Sequence, residues 1–181
     1  MKTRQPTNMI YIAILRGINV SGSKKLPMAE LRLLLSDIGL EKVQSYIQSG
    51  NVVFASNEKD QTKLGNQISE AIKKQYDYDV PVLVKTIAEW KIAMANNPFT
   101  DKDISKQAIT FLATTPTVTD FEIDSKDDEF KIINSEVYLY CPNGFGRSKL
   151  TNNLFERKLK TQATTRNWKT INKLLEMAEA L

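Results

Sequence analysis

The order of apolar patterns over the first half of the chain restricts the fold more than any other feature. Residues 9–15 form an unbroken apolar run rich in β-branched side chains, which reads as a strand covered on both faces. A loop over 16–26 follows, punctuated by Gly17 and Gly22, and Pro27 stands where a helix accepts proline, at its first position. Met28, Leu31, Leu34, Leu35 and Ile38 recur at helical spacing, and Gly39 supplies the stop. Residues 43–48 and 52–55 are strand-like on either side of Ser49-Gly50-Asn51, a tight-hairpin signal. Leu64, Ile68, Ala71 and Ile72 mark a second helix, and 80–84 a strand whose Pro81 implies an edge position or a strand start. The order β-α-β-β-α-β is the split βαβ of a ferredoxin-like unit.

The pattern partly recurs. Thr86-Ile-Ala-Glu89 is a capping box that opens a helix with Ile87, Trp90 and Met94 on one face, ended by Asn96-Asn-Pro98. Residues 108–112 read as a strand and 118–123 as a short helix. Two further strands, 130–133 and 137–140, flank Asn134-Ser-Glu. Leu150, Leu154, Phe155 and Leu159 mark a helix. Trp168, Ile171, Leu174, Leu175 and Ala178 mark another, with the threonines of 161–170 as its capping residues. The expected fold is α+β, a tandem of two ferredoxin-like halves packed together. Residues 1–98 make the first with its connecting helix, and 99–181 the second with the C-terminal helices.

A split βαβ unit has a geometric consequence. Its first two strands run the same way because a helix crosses over between them. The loop at 16–22, the bend at 49–51 and the approach to the fourth strand at 76–79 should therefore share one rim.

Composition removes whole classes of chemistry. There is no histidine and a single cysteine, which excludes Ser-His, Cys-His and His-metal sites and an internal disulfide framework. No metal ligand set or cofactor motif is present. The longest apolar run falls far short of the roughly 20 residues a membrane helix needs. The polar start at 1–6 lacks a cleavage site and reads as a cytosolic N-terminus, so the expected location is cytoplasmic, with no membrane partner.

The net charge of +4 is unevenly spread. Residues 1–25 carry five bases and no acid, and 147–181 carry eight bases against three acids. The stretch 26–146 holds 12 bases against 18 acids. Two basic ends that met in space would attract anions. Gly17 and Gly22 match the G-x-x-x-x-G spacing of a phosphate loop. However, Ser23 occupies the lysine position and Lys25 that of the hydroxyl residue, which excludes an NTPase and leaves a weaker anion-binding role. Candidate ligand residues at the rim are Arg16, Asn19, Lys24, Lys25, Ser49 and Asn51. In the C-terminal stretch they are Arg147, Lys149, Arg166 and Asn167, where donors outnumber what helix capping requires.

Three functions fit these residues. The first is binding of an anionic, phosphate-bearing ligand at a basic polar cleft, either a phosphorylated small molecule or nucleic acid. Tyr138 and Tyr140 share a strand face that suits either base stacking or an ordinary amphipathic strand. The second is a histidine-free enzyme acting on a phosphorylated or carboxylate small molecule, with arginines as clamps and Glu30 or Glu156 as candidate bases. The third is an oligomeric interaction protein without catalysis, in which the acidic centre around 120–129 pairs with basic ends between subunits; the expected state of the chain is monomer or homodimer.

Four stretches in order, 12–20 (IAILRGINV), 26–32 (LPMAELR), 46–54 (YIQSGNVVF) and 163–170 (ATTRNWKT), resemble the bacterial domain-of-unknown-function family 1697. The resemblance implies a stand-alone cytosolic α/β protein with ferredoxin-like subunits and no established activity. Members carry a second glycine after the Gly-Ile-Asn-Val stretch, where this chain has Ser21.

Overall fold

The computed structural model describes residues 7–181. Residues 1–6, and with them Lys2, Arg4 and the polar start, lie outside the described residues. Among the described residues the architecture is α+β: two four-stranded sheets, every strand pairing antiparallel, with five α-helices. The chain divides into two compact units, one up to Lys91 together with Lys173–Leu181, the other Ile92–Asn172.

In the first unit the elements follow the order of the sequence pattern: β1 (Met9–Leu15), α1 (Met28–Asp37), β2 (Glu41–Ser45), β3 (Asn51–Ser56), α2 (Gln61–Tyr76) and β4 (Val82–Thr86). The sheet order is β2-β3-β1-β4. Alternation along β1 sends Tyr11, Ala13 and Leu15 to one face. There they pack with Phe54, Leu31 and Leu35 of α1, and Leu64, Ile68 and Ile72 of α2. The opposite face, with Ile12, Ile14 and Val53, is fully buried as well, as the continuous apolar run requires.

Helix ends follow local chemistry. Gly39, at φ 96°, closes α1 with Leu40 N–H bonded to Leu35 O at 3.1 Å. Asp60 caps α2 by accepting from Lys63 N at 3.0 Å. The capping box is realised in full at α3 (Ile87–Ala95): Glu89 Oε2 accepts from Thr86 N at 2.9 Å, and Thr86 Oγ1 accepts from Glu89 N at 3.2 Å. Pro27 sits one position earlier than the pattern suggests, as the N-cap of α1.

The β2–β3 connection is longer than a tight hairpin. Strand β2 ends at Ser45, and the chain turns through Ile47 at φ 48° and Gly50 at φ 84° before β3 begins. The pairing of β2 is interrupted between Glu41 and Gln44, where Lys42 adopts φ 52°.

The second unit contains β5 (Gln107–Leu112), β6 (Glu129–Ile133), β7 (Glu136–Tyr140), α4 (Asn152–Leu159) and β8 (Ala163–Asn167), in the order β6-β7-β5-β8. It departs from the sequence pattern in two places. Residues 118–123 form no helix. The stretch has β-branched residues and no helical apolar period, and Phe121 and Ile123 pack irregularly against the core of Leu139 and Phe155. The threonine run is not a set of caps but strand β8, pairing Ala163 with Leu112 and Asn167 with Ala108. Threonine fits a pleated strand better than a helix interior, and Thr165 Oγ1 lies 2.6 Å from Thr110 Oγ1 across the pair. The cap of α5 (Trp168–Glu179) falls to Asn167, whose Oδ1 accepts from Thr170 N at 2.9 Å.

Helix α4 is pinned over this sheet by polar as well as apolar contacts. Thr165 Oγ1 donates to Asn152 Oδ1 at 2.7 Å, and Ala163 N donates to Glu156 Oε1 at 3.0 Å. Phe155 and Leu159 provide its buried side.

Candidate functional site

The rim expected of the first unit forms. Leu15 N donates to Gly50 O at 2.8 Å and Arg16 N to Pro81 O at 3.0 Å, which brings the end of β1 against both neighbouring turns. Asn19 is the staple. Its Nδ2 donates to Leu26 O at 2.9 Å and to Gln48 O at 2.7 Å, and its Oδ1 accepts from Leu26 N at 2.8 Å. Asn51 is fully buried and donates to Tyr46 O at 3.0 Å and Ser49 Oγ at 2.8 Å. Lys24 Nζ donates to Asp79 O, and Lys25 is exposed. The polar atoms of Asn19 and Asn51 thus hold the turns together. Arg16 is half-buried beside them.

The remaining candidates lie in the second unit and separate into two kinds. Asn167 is a helix cap. Arg166 has a desolvated guanidinium, its pKa lowered to about 10 by burial, and its Nη1 donates to Thr165 O at 2.9 Å. Arg147 and Lys149 are exposed and border two adjoining hollows. One, of about 210 Å³, is lined by Lys126, Arg147 and Lys149 together with Asp127, Asp128 and Asn143. The other, of about 420 Å³, is bounded by Asp124, Lys149, Thr151, Asn153 and Arg157. Lys149 lines both.

Each wall has a local cause. Cys141 is buried, and Gly144 at φ 91° turns the chain after β7. Ser148 Oγ accepts from Leu150 N at 3.0 Å, which fixes the turn that carries Arg147 and Lys149. Thr151 then caps α4, its Oγ1 accepting from Leu154 N at 3.2 Å. The facing wall is a turn in which Asp128 N donates to Ser125 O at 3.1 Å and Ser125 Oγ donates to Asp128 O at 2.7 Å. Asp124 stands 3.9 Å from Lys149, both well exposed. Such a pair contributes about 0–1 kcal/mol, so a doubly charged anion can displace it.

Other groups flagged in the sequence have structural duties. Glu30 accepts from Tyr76 Oη at 2.6 Å and Glu156 from the backbone of β8, so both candidate bases are engaged. Tyr138 is buried and donates to Ala93 O at 2.6 Å, while Tyr140 packs against Phe99. That strand face is therefore not an open stacking platform. Burial raises the Cys141 thiol pKa. Among the described residues no group of three His, Cys, Asp or Glu side chains is placed to hold a metal. None of their helices is long and apolar enough to cross a membrane.

Residues 9–138 match the family described as Protein of unknown function (DUF1697). The chain belongs to that family. A conserved bacterial protein of solved structure, SP0830 from Streptococcus pneumoniae, is 24% identical with a TM-score of 0.69, over 95% of this chain and 99% of that one. At that identity the likeness speaks for the fold. No curated protein matches. In this member of the family, the stretches 12–20 and 46–54 build the stapled rim, and 163–170 is β8 with the turn into α5.

The sequence patterns do not single out Thr151, Asn153, Arg157 or the facing aspartates. The available signal is the spacing of Asn153 and Arg157, one helical turn apart and off the Phe155/Leu159 side. The facing wall is 113–128, which has no regular structure and whose course no periodicity announces.

Proposed function

We propose that this protein binds a phosphate-bearing small molecule in the double hollow of its second unit. Lys149, Arg147 and Arg157 are the cationic groups, and Thr151 and Asn153 the neutral donors. We also propose that the chain is a tandem of two ferredoxin-like halves, over about 1–98 and 99–181, the second with the irregular stretch 113–128 in place of its first crossover helix, and that the protein works in the bacterial cytoplasm. The strand orders β2-β3-β1-β4 and β6-β7-β5-β8 support the first of these statements, and a lone, buried cysteine suits a reducing compartment.

The observation that carries the ligand reading is the position of Lys149. It borders both hollows, its ion pair with Asp124 is weak, and an arginine stands on each side. Positive side chains next to the N-terminal turn of α4 favour an anion there. The size of the hollows favours a small molecule over a nucleic acid strand. Adding inorganic phosphate should shift the amide resonances of residues 149–153, and Lys149→Ala with Arg157→Ala should abolish the shifts while the melting midpoint is kept. Shifts confined to 16–25, or none at millimolar phosphate, would refute the reading.

A further inference from the structure

Each four-stranded sheet has two outer strands, and among the described residues three of these four edges are closed by visible devices. Along β4, Val84 O accepts from Gln61 Nε2 at 3.2 Å and Thr86 N donates to Glu89 Oε2 at 2.9 Å. Along β8, Ala163 N donates to Glu156 Oε1 at 3.0 Å and Thr165 O accepts from Arg166 Nη1 at 2.9 Å. The pairing of β2 breaks between Glu41 and Gln44. Strand β6 has no such device.

Its open groups follow from the register. Leu112 N donates to Ser135 O and Cys141 N to Lys106 O, which commits alternate residues of β7 to β5. Glu136, Tyr138 and Tyr140 therefore face β6, where their partners are Ile133, Lys131 and Glu129. Phe130 and Ile132 turn their N–H and C=O outward, and no hydrogen bond among the described residues engages them. The edge stops at Asp128, whose N–H and C=O are held by Ser125.

The side chains fit this edge to a copy of itself. Two antiparallel β6 strands related by a twofold axis at Phe130 exchange both backbone bonds of that residue. The same register sets the exposed Glu129 of each chain directly opposite the exposed Lys131 of the other, a cross-strand pairing that stabilises. Moving the axis to Lys131 would add backbone bonds at Ile132 but face lysine with lysine, so charge selects the axis at Phe130. Present contacts leave both side chains available. Glu129 lies 3.4 Å from Lys102 in an exposed and hence weak pair, and Lys131 Nζ rests 5.6 Å from the ring centre of Phe99.

We propose that the outer edge of β6 is a self-association surface, and that its partner is the β6 edge of a second copy of this chain. The contact uses the same patch on both chains and therefore closes at a dimer.

The test is sedimentation equilibrium of the full chain up to about 1 mM, the range in which a contact this small is populated. The average mass should climb toward that of a dimer with concentration. Glu129→Lys alone and Lys131→Glu alone each set like charges across the axis, and each should weaken association at least about tenfold. Mixed in equal amounts, the two folded variants should recover it, because every charge in the mixed pair meets its opposite. Amide exchange at Phe130 should slow as the unmodified chain is concentrated, a readout that needs no variant. The proposal is overturned by an unmodified chain that stays monomeric, or by exchange at Phe130 that ignores concentration. It is overturned equally by a single variant that associates as well as the unmodified chain, or by a mixture that stays monomeric.

Discussion

Gly50 offers the sharpest test of how the rim is built. It sits at φ 84°, and a Cβ placed on it would lie 2.7 Å from Leu15 Cβ and 2.9 Å from Ile18 Cδ1. Neither neighbour can yield cheaply. Leu15 is fully buried on the central strand and its N–H is bonded to Gly50 O, while Ile18 is 1% exposed. Gly50→Ala therefore combines about 1–2 kcal/mol for a left-handed L-residue with about 1–3 kcal/mol for overpacking. Gly22 on the same rim is the control: its φ is 76°, but a methyl added there would meet no heavy atom within 4 Å. Gly22→Ala should carry only the backbone cost, about 1–2 kcal/mol. At about 2–4 °C per kcal/mol for a chain of this length, Gly50→Ala should lower the melting midpoint by roughly 4–20 °C and Gly22→Ala by roughly 2–8 °C. Scanning calorimetry of both variants, read on the transition that shifts, makes the comparison. A Gly50→Ala loss no larger than that of Gly22→Ala would show that Leu15 and Ile18 do not confine the turn.

Asn19→Ala removes the staple's two donated bonds and one accepted bond and should cost about 2–4 kcal/mol. Hydrogen exchange should accelerate across 17–26, and unchanged protection there would refute the assignment. Tyr76 is raised to about 12 by burial first and by Glu30 second, and Tyr138 is raised by burial first and by Glu136 second. The folded state thus holds the phenols neutral while the unfolded state ionises them near the ordinary value of 10. Their contribution is fully present below that pH and is lost as pH climbs from about 10 toward 12. Melting midpoints should fall over that range, less steeply in Tyr76→Phe, and a flat profile would refute the claim. Cys141, buried with its thiol pKa raised, should resist a thiol reagent at pH 8 until denaturant is added. Rapid native labelling would contradict its burial.

The first unit is legible in the sequence because its apolar residues obey clean periods. The run 9–15, the stripe Met28–Leu31–Leu35 and the capping box Thr86–Glu89 each have one sensible reading, and the rim follows from their connectivity. The second unit is less legible where polar residues decide structure. Thr164 and Thr165 suit a cap or a strand equally by composition, and only pairing with β5 settles the matter. The segment 113–128 takes its path from Phe121 and Ile123 meeting a core assembled from distant residues. The candidate site is obscured in the same way. Asn19 and Asn51 advertise donors that the turns consume, whereas Arg157 and the aspartates gain meaning only once that segment is laid against α4.

The interrupted strand β2 limits how the first sheet can grow. A foreign strand laid along its outer margin would find the hydrogen-bonding rhythm broken between Glu41 and Gln44, where the Lys42 backbone bends the wrong way and Glu41, Lys42 and Gln44 point charge or amide into water. Continuous templating needs a flat, evenly spaced border, and this one offers only a few residues before it loses step. The margin thus guards the protein against ribbon-like self-association on that side.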